Sequence, residues 1–423
     1  MAGVLSSQRS ILGFGYSALL RQVKSSHLYT VKKLDLPHCE QLDNLARAAG
    51  ELYTRILVSY WRVVRKKNIF LSQYGMEKWH ISPHLHAHSS DAIAGNFYAA
   101  IKSAQERKKS GDKEAKYPKR RKWFYKITWK SSAIRIKNGK LILSNGKGNQ
   151  PLEIQWQWDK PKQVEIGWKK SGGYQLRATY PIEPESQVIG DKVASVDLGD
   201  LRSATVYDGE NTFIYSGRLL RSLVRYRNKI TGKLQELISR TKKGSNRRKR
   251  LFRTKEKQLA LIERKINDIL HKQTTHIVST LQHTGVQTLV IGDIRDIRKA
   301  IDYGAKANQK LHSWSFGKFR FMLTYKAQRA GMKVALQDER HTSKTCPRCG
   351  NRHKPSGRLY KCKKCDFAFD RDGVGAINIR RKYLGCFDIP VVGDMATPIG
   401  VRYTPHLQCN PQLRSGAVRI PRL

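Results

Sequence analysis

Two Cys-x-x-Cys pairs, Cys346/Cys349 and Cys362/Cys365, stand twelve residues apart in the chain. Such a turn lets two thiolates converge on one cation, and two turns complete a tetrahedral shell of four sulfurs. The stretch from 341 to 369 must therefore fold around a metal more than around an apolar core. One Zn2+ held by these four cysteines is expected. A closed four-thiolate shell keeps no open position, so this zinc is structural and the chemistry must lie beside it. Disulfides or four buried thiols explain the double spacing less well. The other cysteines, Cys39, Cys386 and Cys409, are too few for a disulfide framework and suit a reducing compartment. Directly after the knot, DFAFDRDGVGAINIRR places Asp370 and Asp372 where a helix should begin, and Asp372 is the first candidate for chemistry.

The charge balance narrows the partners. Lys and Arg number 81 against 33 Asp and Glu, a formal net charge of +48 over 423 residues. An excess of this size needs a polyanion, and nucleic acid fits best. A membrane is the weaker reading, since no run approaches the ~18 apolar residues of a spanning helix. A cytoplasmic setting is expected. The first residues are acid-free and carry Ser and Arg without a signal-peptide core, which reads as a tail.

Along the chain, YTVKKLD (29–35) reads as a strand. Leu42, Leu45, Ala46, Ala49, Leu52, Tyr53, Ile56 and Tyr60 recur at three- and four-residue steps, predicting a helix from about Cys39 to Lys67. A second helix is expected over Ser90–Arg107. His80, His84, His86 and His88 lie between them, but Pro83 breaks any register and no acidic or cysteine partner is near, so surface imidazoles are the default. Lys108–Lys130 is basic with interleaved Trp123, Phe124, Tyr125 and Trp129. Its cations, Lys119, Arg120 and Arg121 among them, suit phosphates, while its aromatics could stack on bases or face a core. Short β-like runs follow, one around Asn138-Gly139, suggesting a small antiparallel barrel or sheet into which the helical segment is inserted.

The second half opens on KVASVDLGD, an apolar strand with Asp197 at its end, and two returning strands follow. A basic helical hairpin (222–281) breaks near Gly244-Ser245 and bears the cluster Arg247, Arg248, Lys249 and Arg250, a candidate phosphate-tracking surface. Then come a strand (VQTLVIGDI), a helix, a strand (KVALQDE), the knot and a last helix. Three antiparallel strands, then helix, strand, helix, strand, helix is the ribonuclease-H-like order. It gathers carboxylates at one sheet edge, where they repel unless a hard cation lies among them, so Mg2+ is implied. Two ions ~4 Å apart can activate a water and stabilise the leaving oxygen of a phosphodiester.

Asp197 in VDLG, the helix SWSFGKFRFMLTYKAQRAGM, TSKTCPRCG and CKKCDFAFDRDGVGAINI together resemble the transposon-encoded TnpB proteins and the compact type V CRISPR effectors. The specific motifs cover residues 190–381; over 29–189 only the layout matches. The resemblance implies an α+β multidomain chain: an N-terminal tail (1–28), a wedge-like β-barrel (29–189) with a helical recognition insertion (about 39–110), a RuvC nuclease domain (190–385) with a zinc ribbon (341–369), and a C-terminal tail (386–423). It implies an RNA-guided DNA endonuclease with guide RNA and target double-stranded DNA as partners and a short flanking motif read beside the target. Asp197 matches the first RuvC aspartate and Asp372 the last, with Asp370 a helix cap or support.

The middle motif departs from the family. Gly292 stands where a glutamate is usual. Glu339, at the end of the next strand, is the favoured replacement for the third Mg2+ ligand. Asp293 is second choice, because strand alternation turns it to the opposite face, and a site with no replacement also stays open. Asp338 alternates away, and Asp296 falls in the turn after its strand. Two other readings are carried: an RNA-guided DNA-binding protein with an inactive or weak site, and a DNA-only transposase or nuclease.

Overall fold

A computed structural model describes residues 21–22, 28–119, 122–169, 172–186, 190–293, 304, 308–309, 314–387 and 398–401. Arg120, Arg121 and Asp296 lie outside them. The chain divides into two compact units, His27–Ile182 and Met1–Ser26 with Glu183–Leu423.

In the first unit the helices are α1 (Glu40–Lys67), α2 (Gln73–Trp79) and α3 (Ala87–Lys109). All eight apolar positions that predict α1 are buried in it. Strands β2 (Leu28–Leu36), β3 (Ile127–Lys130), β7 (Gln163–Trp168) and β8 (Tyr174–Ile182) form one antiparallel sheet in the order β2-β8-β7-β3. The register of β2 on β8 runs from Leu28 opposite Ile182 to Leu36 opposite Tyr174. Strands β4 (Ile134–Lys137), β5 (Lys140–Leu143) and β6 (Leu152–Gln155) form a second sheet. Two separate ladders thus stand where the sequence suggested one barrel or sheet. A 3-10 turn at Ser131–Ala133 interrupts the chain after β3, and β4 then pairs locally with β5. Asn138 and Gly139 both have positive φ (51° and 67°), the backbone of a mirror-image hairpin turn. Trp129, Ile127, Val164, Leu176 and Phe97 share the core.

The second unit is built on a seven-stranded sheet. Its strands are β1 (Arg21–Gln22), β9 (Val193–Asp197), β10 (Arg202–Tyr207), β11 (Thr212–Ser216), β12 (Thr288–Asp293), β13 (Lys333–Asp338) and β16 (Ile399–Val401), in the order β1-β13-β12-β9-β10-β11-β16. Strand β12 is parallel to both β9 and β13, while β10 is antiparallel to β9 and β11. Parallel strands buried on both faces read as continuous apolar runs, as TLVIG does. Helices α4 (Arg218–Ser239), α5 (Asn246–His283), α6 (Phe316–Arg329) and α7 (Arg371–Tyr383) accompany the sheet. A short hairpin of β14 (Leu359–Lys361) and β15 (Ala368–Asp370) precedes α7. The expectation of plain tails at 1–28 and 386–423 needs correcting. Each supplies an edge strand, β1 on β13 and β16 on β11. Strands of two and three residues are too short to show any alternation that sequence periodicity could detect.

Gly50 lies in the middle of α1, where alanine ordinarily gains about 1 kcal/mol over glycine. Here a Cβ would lie 2.6 Å from the Trp123 carbonyl carbon and 2.9 Å from the Lys122 carbonyl oxygen. Thr54 Oγ1 also donates to Lys122 O at 3.1 Å, pinning that segment onto the helix. Gly50→Ala should therefore destabilise the protein by about 1–3 kcal/mol. A rise in melting temperature would contradict this close approach.

Candidate active site and metal centre

Asp197 ends β9, and α7 docks across that strand. Ser195 Oγ donates to Ala376 O at 2.6 Å, and Arg380 Nε donates to Val193 O at 2.6 Å. The approach is so tight that a Cβ at Gly375 would collide with the Asp197 carboxylate. Asp370 caps α7, accepting from the backbone N–H groups of Asp372 (3.0 Å) and Gly373 (3.1 Å), as its place before a helix suggested. Arg202 pairs with the same Asp370 carboxylate. Asp372, one residue into the helix, is engaged by two guanidiniums: Arg358 donates to Oδ2 at 3.0 Å, and Arg202 lies 3.3 Å from it. Sequence reasoning missed both arginines, because nothing in one strand residue and one ribbon residue distinguishes them among 81 cations.

The neighbouring strands place the other acids. Register sets Gly292 opposite Gln337 and Asp293 opposite Asp338. Glu339 then follows β13, and its side chain fills the space beside Gly292. A Cβ at 292 would lie 2.6 Å from Cδ and 2.8 Å from Cγ of Glu339, and would overlap its Oε1. Asp293 instead meets Arg320 Nη1 at 3.3 Å, and Asp338 meets Lys382 Nζ at 3.1 Å. Both are engaged in ion pairs there.

Glu339 Oε1 is buried without a hydrogen-bond partner. Burial first, then the charges of Asp197, Asp293 and Asp338, hold its carboxyl well above the usual range. Asp197 is pushed up to about 7 by burial and by Asp372, against a smaller opposing pull from Arg371. Glu339 therefore lies in the field of Asp197. Asp197, Glu339 and Asp372 do not form one tight cluster. Among the described residues only the four cysteines bring three or more potential ligand atoms within 4.8 Å of one another. An oxygen-seeking divalent cation fits the acidic pair, since it would satisfy the orphaned carboxylate oxygen and relieve the repulsion.

The cysteines converge as their spacing predicts. Cys346 Sγ lies 3.8 Å from Cys365 Sγ, and Cys349 Sγ lies 3.4 Å from Cys362 Sγ. Tetrahedral zinc with bonds of ~2.3 Å separates its sulfurs by about 3.8 Å. Gly350 N–H donates to Cys346 O at 2.9 Å, and Cys362 N–H donates to Phe367 O at 2.9 Å, closing the two turns. Burial pushes the Cys346 thiol up to about 12. At Cys362 burial is outweighed by the backbone N–H groups of Lys364 and Cys365, which take it down to about 6. This cluster could hold a zinc ion.

The remaining sequence candidates are scattered. Lys119, Arg247, Lys249 and Arg250 are exposed. Arg248 instead folds back, donating from Nη1 to Ile238 O at 2.6 Å and Thr241 O at 3.1 Å, and so clasps α4 to α5. Trp123 is 75% exposed, Tyr125 stacks on Tyr53 with centroids 4.6 Å apart, and Trp129 is fully buried. The four histidines form no metal-ligating group among the described residues.

Two families match in succession: "Probable transposase" over residues 176–298 and "Cas12f1-like, TNB domain" over residues 316–379. The TnpB-like protein MJ0751 of Methanocaldococcus jannaschii is 30% identical over 236 residues, 53% of this chain and 84% of that protein. The chain belongs to the TnpB-like family. This TnpB-like chain is also 24% identical over 213 residues to the CRISPR-associated endodeoxyribonuclease Cas12f1 of Sulfoacidibacillus thermotolerans, 48% of this chain and 49% of that one. Its mixed α/β fold resembles that in the cryo-EM structure of a Cas12f1–sgRNA–target DNA complex. The TM-score is 0.57 at 13% identity, over 80% of this chain and 81% of that one. No helix among the described residues is long and apolar enough to cross a membrane.

Two outcomes follow from the TnpB-like site. In buffer without added divalent ions, Asp197 stays protonated in the folded chain up to about 7, against an ordinary value of 3.8. The unfolded chain ionises first, so stability falls as pH rises between about 4 and about 7. Melting temperatures across that window should fall more steeply in wild type than in Asp197→Asn, and parallel slopes would contradict the shifted carboxyl. Elemental analysis should find one zinc per chain, and Cys362→Ser should lower both the zinc content and the melting temperature. Full zinc retention in that variant would rule out a four-sulfur shell.

Proposed function

We propose that the chain is an RNA-guided, Mg2+-dependent DNA endonuclease that hydrolyses target DNA beside a short recognised flanking motif. The observation that carries this reading is the Glu339 side chain filling the space left by Gly292. A chain that had simply lost its middle carboxylate would have no reason to bury another one there, unpartnered, beside Asp197.

In this reading the central strands β11-β10-β9-β12-β13 make a ribonuclease-H-like RuvC domain interrupted by a zinc ribbon, and the His27–Ile182 unit is the wedge and recognition region. Guide RNA and target double-stranded DNA account for the charge of +48. Base pairing reads the sequence while the protein holds backbone and shape.

Asp197, Glu339 and Asp372 would hold the ions. Bound Mg2+ supplies Lewis-acid stabilisation of the phosphodiester and an acidified water. The chain's own part is to present carboxylate oxygens and to exclude competitors. Asp197 and Glu339, whose carboxyls are both held above the usual range, would each have to lose a proton to act as ligands. To serve as a ligand, Asp372 would have to leave its contacts with Arg202 and Arg358. Lys382 and Arg320 keep Asp338 and Asp293 in ion pairs and out of the ligand set.

The double hold on Asp372 favours the second reading, a guided DNA-binding protein with a weak nuclease site. Cleavage of a matched plasmid by the guide-loaded ribonucleoprotein in Mg2+ separates the two. Glu339→Gln should lose about a hundredfold or more in rate, and Asp293→Asn should stay near wild type. Gly292→Ala should also lose cleavage with little change in melting temperature, because its methyl displaces the end of a flexible side chain. Guided binding without any cutting by wild type would establish the second reading. Activity that survives ribonuclease treatment would point to a DNA-only enzyme.

A further inference from the structure

Read from sequence, Arg247 to Arg250 form one basic cluster; in the structure it divides. Arg248 turns inward and clasps α4, and the next turns of α5 continue that inner face. Leu251 is half-buried, Lys255 Nζ donates to Gln235 Oε1 of α4 at 2.7 Å, and Ile262 and Ile266 are buried. Steps of three and four residues keep these side chains on one side of the helix. Arg250, Arg253 and Lys257 follow the same steps on the opposite side, and all three are exposed. From the first to the last they form a stripe about 10 Å long.

The chain does not neutralise this stripe. Arg250, Arg253 and Lys257 form no hydrogen bond or ion pair among the described residues, and neither do the flanking Arg247 and Lys249. Glu256 is the one acid between Asn246 and Ile262, and it lies off the stripe and pairs with none of them. Arg247 and Arg250, Arg250 and Arg253, Lys249 and Arg253, and Arg253 and Lys257 are all like charges three or four residues apart, an arrangement that weakens a helix. The first turn of α5 carries Arg247, Arg248 and Lys249 and no acid, although the positive end of the helix dipole disfavours cations there. A polyanion laid along the outer face would offset both costs at once.

A stripe, unlike a pocket, calls for a linear partner. A lipid surface would call for apolar side chains among the cations, and from Arg250 to Lys257 the stripe has none. The chain of phosphates in a nucleic-acid strand meets both demands. We propose that Arg250, Arg253 and Lys257 form a docking rail for the sugar-phosphate backbone of a nucleic-acid strand, one cation to a phosphate, with no base read. Arg248 and Lys255 brace the rail from its inner side. Contacts of this kind fix a strand's position and carry no sequence information. Whether the strand is guide or target rests on the guided-nuclease reading; the phosphate contact does not.

The test titrates the full chain, freed of copurifying nucleic acid, with fluorescein-labelled single-stranded RNA and duplex DNA, each in two sequences, between about 50 and 200 mM salt. Each phosphate contact contributes about 0.7 to 0.9 to the slope of log affinity against log salt. The triple variant Arg250→Gln, Arg253→Gln, Lys257→Gln should make that slope shallower by about 2 to 3 and weaken binding at least tenfold, equally for both sequences. Its melting temperature without nucleic acid should hold or rise, since like-charge repulsion is removed. A control variant, Lys113→Gln, Lys137→Gln, Lys147→Gln, removes the same charge from exposed lysines of the first unit and should change the slope by less than about one. An unchanged slope in the stripe variant, an equal loss in the control, or a loss confined to one sequence would overturn the proposal. A change seen with RNA alone or with the duplex alone assigns the strand, and a change with both admits either. Guided cleavage measured on the same preparation keeps the two readings apart. A stripe-dependent slope without cleavage retains the rail and removes the nuclease, and cleavage with an unchanged slope does the reverse.

Discussion

Buried like charges without a counter-charge cannot all remain ionised, and the second unit is arranged around that fact. Asp197 ends β9 and Glu339 follows β13, on either side of β12 in the parallel part of the sheet. Asp197 is fixed by its strand and by the helix packed over it, while Glu339 reaches the site through a longer side chain. The protein manages the surplus by pairing the acids it does not need there. Asp293, Asp338 and Asp370 each have a cationic partner, while Glu339 is left with an open oxygen. Asp372 is paired as well, by Arg202 and Arg358.

The thiol cluster and the acidic pair are joined by one short segment. Asp370 ends β15 of the ribbon and also caps α7, the helix that presses Gly375 against Asp197. Arg358 reaches from the ribbon to Asp372. Loosening the sulfur cluster would therefore alter the helix start as well as the ribbon. A metal held by the four cysteines would in this way also fix where α7 and Asp372 begin.

Long periodic elements were legible in the sequence because burial selects for them directly. The α1 stripe, the β9 and β12 apolar runs and the capping role of Asp370 all follow from local rules. Alternation, a local rule, favoured Glu339 over Asp293, but the choice also required β12 and β13 to be neighbours, which only the fold supplies. What stayed hidden depends on partners far along the chain. Arg202 and Arg358 are two cations among many until the fold brings them to Asp372. Arg248 looked like part of a basic surface until α4 ended beside it and offered its carbonyls. The edge strands β1 and β16 are defined only by the neighbours they join.

One register pair has a further consequence. Leu28 and Ile182 are direct partners, so the first and last residues of the β2–β8 ladder lie side by side. Connected this way, the first unit behaves as a cassette: the chain leaves one framework, completes a separate core and returns within a strand spacing of where it departed. Insertions closed at the neck place little strain on their host. Such a unit can be lengthened, shortened or exchanged while the sheet that carries the carboxylates keeps its register, which allows the two units to diverge at different rates.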